Sequence, residues 1–284
     1  MKEAETIRAA IQGIAGSFHD QAARAYFPDR SVELVPCETF EELFTSVRGH
    51  QADVAVMAIE NTVAGSLLPN YALLQDSGFT VFGEIFLHIS QNLMALPGQT
   101  IQDIKEAHSH YMAIAQTRPF FKSYPAIRLI ESDDTAASAR EVAEKGLKGL
   151  AAIAGAHAAE MYGLEILASG IETNKRNFTR FLLLYKPNGS QPFKVEHPDK
   201  ASLSFTLPHE TGSLSQVLSI FSFYGLNLSK IQSIPIIGQE WEYHFLIDLT
   251  FDDLLRYRQS LDAIRPLTSE LTILGEYIQG KHIQ

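Results

Sequence analysis

The run Asp53–Ile59, DVAVMAI, decides the fold class of this chain. All of its residues after Asp53 are apolar, and a strand that is apolar on both faces is typical of a parallel sheet covered by helices on each side. The polar residues Glu60-Asn61-Thr62 follow immediately. Parallel α/β sheets bind ligands at the carboxyl ends of their strands. We therefore expect a polar ligand close to Asn61 and Thr62.

The sequence on either side of this run repeats one pattern. Short apolar runs that predict strands alternate with amphipathic stretches that predict helices, from residue 7 to residue 162. One helix start carries a clear signal, because Thr39 is followed three residues later by Glu42, a predicted capping box. The pattern predicts an α/β fold with a parallel or mixed sheet. Three further turns should lie at the ligand-binding edge: residues 13–19, 108–110 and 132–135.

A second polar group leads into a strand at Asn177–Phe181, NFTRF, which continues into the apolar run Leu182-Leu183-Leu184. In a strand, Asn177 and Thr179 share one face and Arg180 lies on the other. Asn177 and Thr179 can therefore point together at one small polar ligand. The alternative is an ordinary strand entrance with a solvated arginine.

The chain changes character at residues 187–199, which are rich in proline and turn formers and predict a linker. Residues 200–284 then predict the order βαββαβ, a ferredoxin-like unit. A domain of this size and topology often pairs its sheet with that of a second copy. We expect a homodimer or homotetramer that associates through this domain.

Composition narrows the class of protein. The chain has 284 residues, a net charge of −10 and a pI of about 5.5, which argues against nucleic acid or an anionic membrane as a partner. Cys37 is the single cysteine, so there is no intrachain disulfide, and no Cys/His cluster has metal-ligand spacing. No run approaches membrane-spanning length and residues 1–10 lack an apolar leader segment. We expect a cytoplasmic protein without a bound metal.

Five motifs, in order, make the chain resemble the monofunctional prephenate dehydratases, which carry a regulatory ACT domain. Each is weak alone, but together they span nearly the whole length. They are Gly13-Ile14-Ala15-Gly16-Ser17-Phe18, Ala58-Ile59-Glu60-Asn61-Thr62 with Gly65, Ser109-His110 with Ala115-Gln116, Asp134-Thr135-Ala136, and Asn177-Phe178-Thr179-Arg180-Phe181. Tyr111 and Met112 depart from the family's Ser-His-Pro-Gln sequence, where we expect changes in residues that line the site.

The resemblance implies a fold, a reaction and a regulator. The fold is a two-lobed catalytic domain like that of periplasmic binding proteins over residues 1–186, a linker over 187–199 and an ACT domain over 200–284. The reaction is the decarboxylating dehydration of prephenate to phenylpyruvate in phenylalanine biosynthesis, which needs no cofactor, and phenylalanine is the effector. We expect no fused chorismate mutase, because only a dozen residues precede Gly13.

The resemblance also assigns roles to residues. Thr179 is the catalytic residue, as hydrogen-bond donor to the departing hydroxyl. The expected substrate contacts are Ser17, Asn61, Thr62, Thr135, Asn177 and Arg180. Thr179 can instead be an ordinary β-branched strand residue with a satisfied hydroxyl. Arg180 can form a structural salt bridge, for example to Glu60, Asn61 can cap a turn, and Ser17 can cap a helix. His110 fits a substrate donor and a core histidine equally well, and Lys175 and Arg176 are expected in solvent.

The expected effector contacts are Gly212, Ser213, Leu214, Asn227 and Leu228. The family's second effector motif, Glu-Ser-Arg-Pro, appears here as Gln232-Ser233-Ile234-Pro235, so both of its charges are absent. The resemblance therefore implies feedback by phenylalanine that is weaker than is usual for the family.

Three other functions compete with this one. Arogenate dehydratase carries out the same reaction on the transaminated substrate, and Asp134, where serine is commoner, resembles the plant proteins. A non-catalytic amino-acid sensor or solute-binding protein shares the two-lobed fold, but the absent leader segment and the complete Asn177-Thr179-Arg180 set argue against it. The Gly13–Gly16 turn lacks the third glycine and the acidic residue of a dinucleotide fingerprint, so we reject that reading.

Overall fold

A computed structural model describes residues 6–187, 192–236, 238 and 242–283. Its helices are α1 (Phe18–Tyr26), α2 (Phe40–Arg48), α3 (Leu68–Ser77), α4 (Tyr111–Phe121), α5 (Thr135–Lys145), α6 (Ala156–Tyr162), α7 (Ser213–Phe223) and α8 (Leu254–Ile264). Its strands are β1 (Thr6–Gln12), β2 (Ser31–Cys37), β3 (Val54–Asn61), β4 (Gly65–Ser66), β5 (Thr80–His88), β6 (Asn92–Ala95), β7 (Glu106–His110), β8 (Arg128–Ser132), β9 (Leu150–Ala154), β10 (Glu165–Ala168), β11 (Phe178–Tyr185), β12 (Lys200–Thr206), β13 (Asn227–Pro235), β14 (Tyr243–Thr250), β15 (Ser269–Tyr277) and β16 (His282–Ile283). Single 3-10 turns lie at Ile101–Asp103 and Arg265–Leu267.

The strand β3 lies inside a sheet with the order β16-β5-β11-β3-β1-β2, and β4 pairs with its end. β1 runs parallel to both β2 and β3. Every residue of Val54–Ile59 is buried. This burial on both faces confirms the reading of the continuous apolar run.

A second sheet of mixed direction has the order β10-β6-β9-β7-β8. β7 is parallel to β8 and β9, while β6 and β10 pair antiparallel. Its core is built from small and branched side chains, among them Ala107, Ile114 and Ile153. The predicted α/β fold with two lobes is therefore present, with one sheet in each lobe.

A third sheet is antiparallel and has the order β13-β14-β12-β15. With α7 and α8 it gives the chain order βαββαβ, so the predicted ferredoxin-like unit is confirmed. Its core contains the fully buried rings of Phe205, Phe221 and Tyr257. These side chains fill the space between the sheet and its two helices.

The contacts divide the described chain into two compact units. The first comprises residues up to 66, residues 85–181 and residues from 282, and contains the predicted catalytic motifs. The second comprises residues 67–84 and 182–281, and contains the βαββαβ region. Within the second unit, Phe193 of the predicted linker stacks on Phe82 with ring centroids 4.2 Å apart. The linker residues 188–191 lie outside the described residues.

The structure confirms the predicted helix cap at Thr39 and differs from the sequence predictions at two points. Thr39 caps α2 by accepting from the Glu42 amide at 3.3 Å, but the Glu42 carboxylate accepts from the Glu38 amide at 2.7 Å, one residue before the predicted partner. The sequence does not predict the strands β4, β7, β10 and β16, and residues 108–110, expected as a turn, form the end of β7. Within the described ranges, no helix is both long and apolar enough to cross a membrane.

Candidate active site

The two polar stretches singled out in the sequence meet in the structure. The amide of Thr62, just after β3, donates to the carbonyl of Phe178 at 2.9 Å, and the amide of Ile89 donates to the carbonyl of Asn177 at 2.7 Å. The carboxyl end of β3 therefore lies beside the start of β11. This places Asn61, Asn177 and Thr179 together at one edge of the sheet, as predicted.

The side-chain amide of Asn61 is held in one orientation. Its Oδ1 accepts from the amides of Val63 at 2.9 Å and Ala64 at 2.8 Å. Backbone N–H groups can only donate, so the oxygen must face them and the NH₂ must face the other way. There the Nδ2 atom donates to Asn177 Oδ1 at 2.7 Å and to Thr179 Oγ1 at 3.0 Å. Asn61 is thus both the turn cap and a contact of Thr179.

The orientation of the Asn61 amide also fixes the orientations of the Asn177 and Gln116 side-chain amides. Because Asn177 Oδ1 accepts from Asn61, its own NH₂ donates to Gln116 Oε1 at 3.0 Å. The NH₂ of Gln116 consequently points away from Asn177, and it has no acceptor in the part of the chain that the structure describes. Asn177 is fully buried. The motif Ala115-Gln116 does not by itself predict this contact with Asn177.

The hydrogen bond from Asn61 determines how the Thr179 hydroxyl can act. It accepts from Asn61, and none of the described residues accepts its hydrogen. A hydroxyl that already accepts one hydrogen bond is a good donor, because hydrogen bonds in a chain polarise one another. The network therefore presents two donors, the Thr179 hydroxyl and the Gln116 amide, to a bound ligand.

Thr62 has a structural role. Its hydroxyl donates to the carbonyl of Arg176 at 2.9 Å and accepts from the amide of Phe178 at 2.9 Å. The one hydrogen of this hydroxyl is therefore used on the backbone. Thr62 fixes the loop that enters β11, and this geometry does not support the predicted substrate contact.

Arg180 lies on the face of β11 opposite Thr179. It is buried, with 3% of its surface exposed, and its guanidinium carbon is 5.9 Å from the centre of the Phe86 ring. Phe181, on the same face as Thr179, instead meets the ring of His19 in α1 edge to face at 4.9 Å. The structure does not bring Arg180 into the group around Asn61, which favours the alternative of a structural role.

The loop before α1 joins the two lobes. Ser17 caps α1 by accepting from the Asp20 amide at 3.2 Å. The buried Asp20 carboxylate accepts from the Gly16 amide at 2.8 Å and lies 3.2 Å from His157 Nε2 of α6. The Tyr162 hydroxyl, whose pKa is raised by burial, donates to the carbonyl of Ala15 at 2.6 Å. Ser17 is thus a helix cap, and a carboxylate already occupies this helix start.

Glycine is required at Gly16 in this loop. Its φ of +85° lies in the left-handed region, and a Cβ there would be 3.2 Å from Ala158 Cα. A side chain would therefore meet both conformational strain and the backbone of α6. The close approach keeps the loop against the second lobe.

Thr135 is the first residue of α5, and Asp134 caps this helix by accepting from the Ala137 amide at 2.7 Å. The second carboxylate oxygen of Asp134 lies 3.2 Å from where a Cβ on Gly13 would be, so it faces the glycine loop of the other lobe. The expected anion at Thr135 would therefore sit beside a carboxylate. A cationic group is the better complement to this corner.

His110 begins α4. Its Nδ1 accepts from the Met112 amide at 3.4 Å, and burial lowers its pKa against the opposing effect of Asp134, Asp133 and Glu131. The neutral ring then carries its proton on Nε2 and is a donor. Tyr111 is 56% exposed and lines the same edge.

His19 is a feature that sequence reasoning missed. Its Nε2 is buried and has no hydrogen-bond partner among the described residues. Burial lowers its pKa to about 4, so the ring is neutral at pH 7 and packs as an aromatic side chain between Phe40 and Phe181. No local pattern distinguishes this histidine from a solvated one.

The predicted effector residues lie in two places in this chain. Gly212, Ser213 and Leu214 lie at the start of α7, whereas Asn227 and Leu228 begin β13, after that helix has ended. Gly212 has a φ of +85°, and no side chain caps the helix at this position. Asn227 donates from Nδ2 to Thr250 Oγ1 at 3.3 Å, and Leu228 packs on the core of the third sheet. The free amides at the start of α7 are suited to a carboxylate ligand.

No cluster of three or more histidine, cysteine, aspartate or glutamate side chains with metal-binding geometry occurs in the ranges that the structure describes. The donors at the candidate site are amides and hydroxyls. Together with the α/β lobes, this set of donors is suited to a small polar ligand at the carboxyl end of β3.

Comparison with known proteins identifies the family. The family model described as "PDT: Prephenate dehydratase" matches residues 9–189, well over half of the chain, so the chain belongs to the prephenate dehydratase family. A relative, arogenate dehydratase 5, chloroplastic, of Arabidopsis thaliana, is 35% identical over 294 residues, covering 96% of this chain and 67% of that protein. The family supports a dehydratase enzyme of aromatic amino acid biosynthesis.

Two solved structures are similar over nearly the whole chain. One is a prephenate dehydratase from Arthrobacter aurescens in complex with L-Phe, with a TM-score of 0.82 and 29% identity, covering 96% of this chain and 90% of that one. The other is described as GqqA, a novel type of quorum quenching acylase, with a TM-score of 0.83 and 30% identity, covering 95% and 97%. The shared fold therefore hosts more than one described activity, so function must be argued from the site.

Proposed function

We propose that this chain is a monofunctional prephenate dehydratase with a catalytic region over residues 1–186, a linker over 187–199 and a phenylalanine-binding ACT domain over 200–284. The observation that carries the proposal is the Thr179 hydroxyl, which accepts from Asn61 and keeps its hydrogen for a ligand. The reaction needs such a group, because a hydroxyl must leave the substrate as charge develops on its oxygen.

The chemistry requires little else from the protein. The bond from the ring to its carboxylate breaks to release carbon dioxide, and the electron pair enters the ring. The carbon–oxygen bond then breaks, and the hydroxyl takes a proton and leaves as water. Thr179 donates the hydrogen bond to this oxygen, with the proton relayed from water, because threonine alone is a very weak acid. The ring becomes aromatic, which drives the step without a cofactor.

The remaining residues bind and orient. Gln116 offers its NH₂ to a substrate carboxylate, while Asn61 and Asn177 hold Thr179 and Gln116 in place. Ser17 keeps its hydroxyl hydrogen for a ligand while it caps α1. Regulation is supported by the L-Phe complex of the Arthrobacter aurescens relative and by the uncapped start of α7. We place the assembly as a homodimer or homotetramer through the ACT domains.

Arogenate is the second candidate substrate. It carries an ammonium group where prephenate has a keto group, and the Asp134 carboxylate beside the Gly13 loop is a suitable partner for that charge. The arogenate dehydratase relative at 35% identity supports the same alternative. Preference for arogenate that is lost in Asp134→Ser, with prephenate turnover retained, would assign this role to Asp134.

The test is turnover by the purified chain on both substrates. Phenylpyruvate is read by its ultraviolet absorbance in alkali, and phenylalanine by chromatography. We expect conversion of at least one substrate, and a loss of about a hundredfold or more in kcat for Thr179→Ala, the usual effect of removing one preorganised donor. Thr45→Ala is the matched control, since its exposed hydroxyl donates to the Glu42 carbonyl within α2. Wild-type protein that converts neither substrate but releases a fatty acid from an N-acyl amide would replace the proposal with an acylase.

A further inference from the structure

The segment Gln279–Ile283 runs along β5, and we name it the strap. It follows β15 directly, and its last two described residues form β16. His282 pairs in parallel with Phe86, and Ile283 pairs with Leu87. The strap therefore adds an edge strand to the sheet that contains the candidate active site.

The backbone of the strap is fixed against β5 through Glu84. The amide of Gly280 donates to Glu84 Oε1 at 3.0 Å, and the same carboxylate accepts from Lys200 Nζ at 2.8 and 3.0 Å. A Cβ on Gly280 would lie 2.5 Å from the carbonyl oxygen of Glu84. Only glycine permits this approach. Moving the strap away would take the Gly280 hydrogen bond from a buried carboxylate.

The ring of His282 reaches the outer face of β11. It stacks on Phe86 with centroids 4.7 Å apart and an angle of 9°, and meets Phe178 edge to face at 5.4 Å. The guanidinium of Arg180 lies 5.9 Å from the same Phe86 ring. The side chains immediately before and after Thr179 in the sequence are thus both packed in the layer that His282 covers.

We infer that His282 is a positioning residue for Thr179, acting through Phe178 and Phe86, and that the strap exists to deliver this ring. The inference rests on the proposed role of Thr179 in dehydration. A hydrogen-bond donor must be held within about 0.5 Å of its productive position. The Thr179 side chain points to the opposite face of β11. On this face, its backbone is positioned through the packing of its two neighbours, Phe178 and Arg180.

The experiment compares His282→Ala, His282→Phe and Lys281→Ala in the full chain. We expect about a tenfold lower kcat with KM within about twofold for His282→Ala, because the donor acts mainly in the transition state. His282→Phe keeps a ring that stacks and should restore kcat. Lys281 and His282 are both exposed on the strap, but His282 contacts the rings of Phe86 and Phe178. Lys281→Ala, which removes no ring contact, should match the wild type. Equal kcat for wild type and His282→Ala overturns the inference.

A second measurement does not depend on activity. Amide hydrogen exchange of the peptide that spans residues 177–181 should be faster in His282→Ala and return towards the wild-type rate in His282→Phe. Unchanged exchange in His282→Ala would overturn the inference even if the variant lost activity through general destabilisation. If wild type converts neither substrate, the proposed function fails, while the exchange result still decides whether the strap orders β11.

Discussion

The Asn61 side chain donates a hydrogen bond of 3.0 Å to the Thr179 hydroxyl while its own oxygen is held by the amides of Val63 and Ala64. The direction of this bond is fixed by the backbone and not by the two side chains. It is what turns Thr179 from an ordinary strand residue into a donor for a ligand. The pair lies 118 positions apart in the chain, so only the fold creates it.

Asn61→Asp tests the direction of that bond. A carboxylate still accepts from the amides of Val63 and Ala64, so the turn should be retained. The oxygen that replaces Nδ2 faces Asn177 Oδ1, so the Asn177 carboxamide must turn over to donate to it. The carboxylate cannot donate to Thr179, whose hydroxyl would instead donate to the carboxylate and turn its hydrogen away from the substrate. We expect kcat to fall about a hundredfold, close to the effect of Thr179→Ala.

The double variant Asn61→Asp/Thr179→Ala provides the control in the same assay. If Asn61 acts through Thr179, the double variant should be no slower than the slower single variant, because residues that act as a unit are not additive. Independent, multiplicative losses in kcat would show that Asn61 contributes through another contact.

Arg180→Lys separates the two roles considered for Arg180. The structure buries this side chain over Phe86 on the face opposite Thr179. We therefore expect kcat and KM within about twofold of wild type and a lower melting temperature, since lysine loses the planar group that stacks on the ring. Arg176→Lys, at an exposed position on the preceding loop, is the matched control. A rise in KM of tenfold or more would instead assign Arg180 to a substrate carboxylate.

The parts of the fold that depend on local sequence pattern can be predicted from the sequence. The apolar run Val54–Ile59 identified a buried strand, and alternation in Asn177–Phe181 placed Thr179 and Arg180 on opposite faces. These inferences succeed because side-chain direction in a strand has a fixed period. The predicted cap alternatives for Asn61 and Ser17 also come from short-range chemistry.

Other features depend on contacts between distant segments. Gln116 enters the site only because α4 reaches Asn177 across 61 positions. The strand β16 is two residues long and has no period to detect. The position of Thr62 after a buried strand predicts a ligand contact, but its hydroxyl bonds to the backbone of Arg176 and Phe178. Polar residues at strand ends are equally suited to ligands and to loops, and only the fold decides which they serve.

His19 predicts a pH dependence of stability. Its pKa in the folded protein is lowered by burial from 6.5 to about 4, so between these values the unfolded chain binds a proton that the folded chain does not. The free energy of unfolding should therefore fall as the pH is lowered through this range, by up to about 3 kcal/mol. Denaturant titrations of wild type and His19→Gln between pH 4 and 7 measure it. The difference in free energy of unfolding between wild type and His19→Gln should become smaller at low pH. For the exposed control His209→Gln, the difference from wild type should stay constant over this range.

The last prediction concerns the effector motif on β13. Gln232 and Ile234 stand where the family has a glutamate and an arginine, and the Gln232 amide instead donates to the carbonyl of Ser233 at 3.0 Å. Phenylalanine bound at Gly212 would place its carboxylate on the free amides of α7, but closure around the ligand lacks an ion pair. We expect wild type to bind phenylalanine more weakly than is usual for the family.

Calorimetric titration of four proteins tests this: wild type, Gln232→Glu, Ile234→Arg and the double variant. Each single variant adds one charge without its partner, so each should bind no better than wild type. The double variant should bind more tightly than the sum of the single effects predicts, because the two charges stabilise each other. Ser233→Glu, which adds a charge on the other face of β13, should not reproduce the gain. Tight binding by wild type, or additive effects in the cycle, would remove this motif from the effector response.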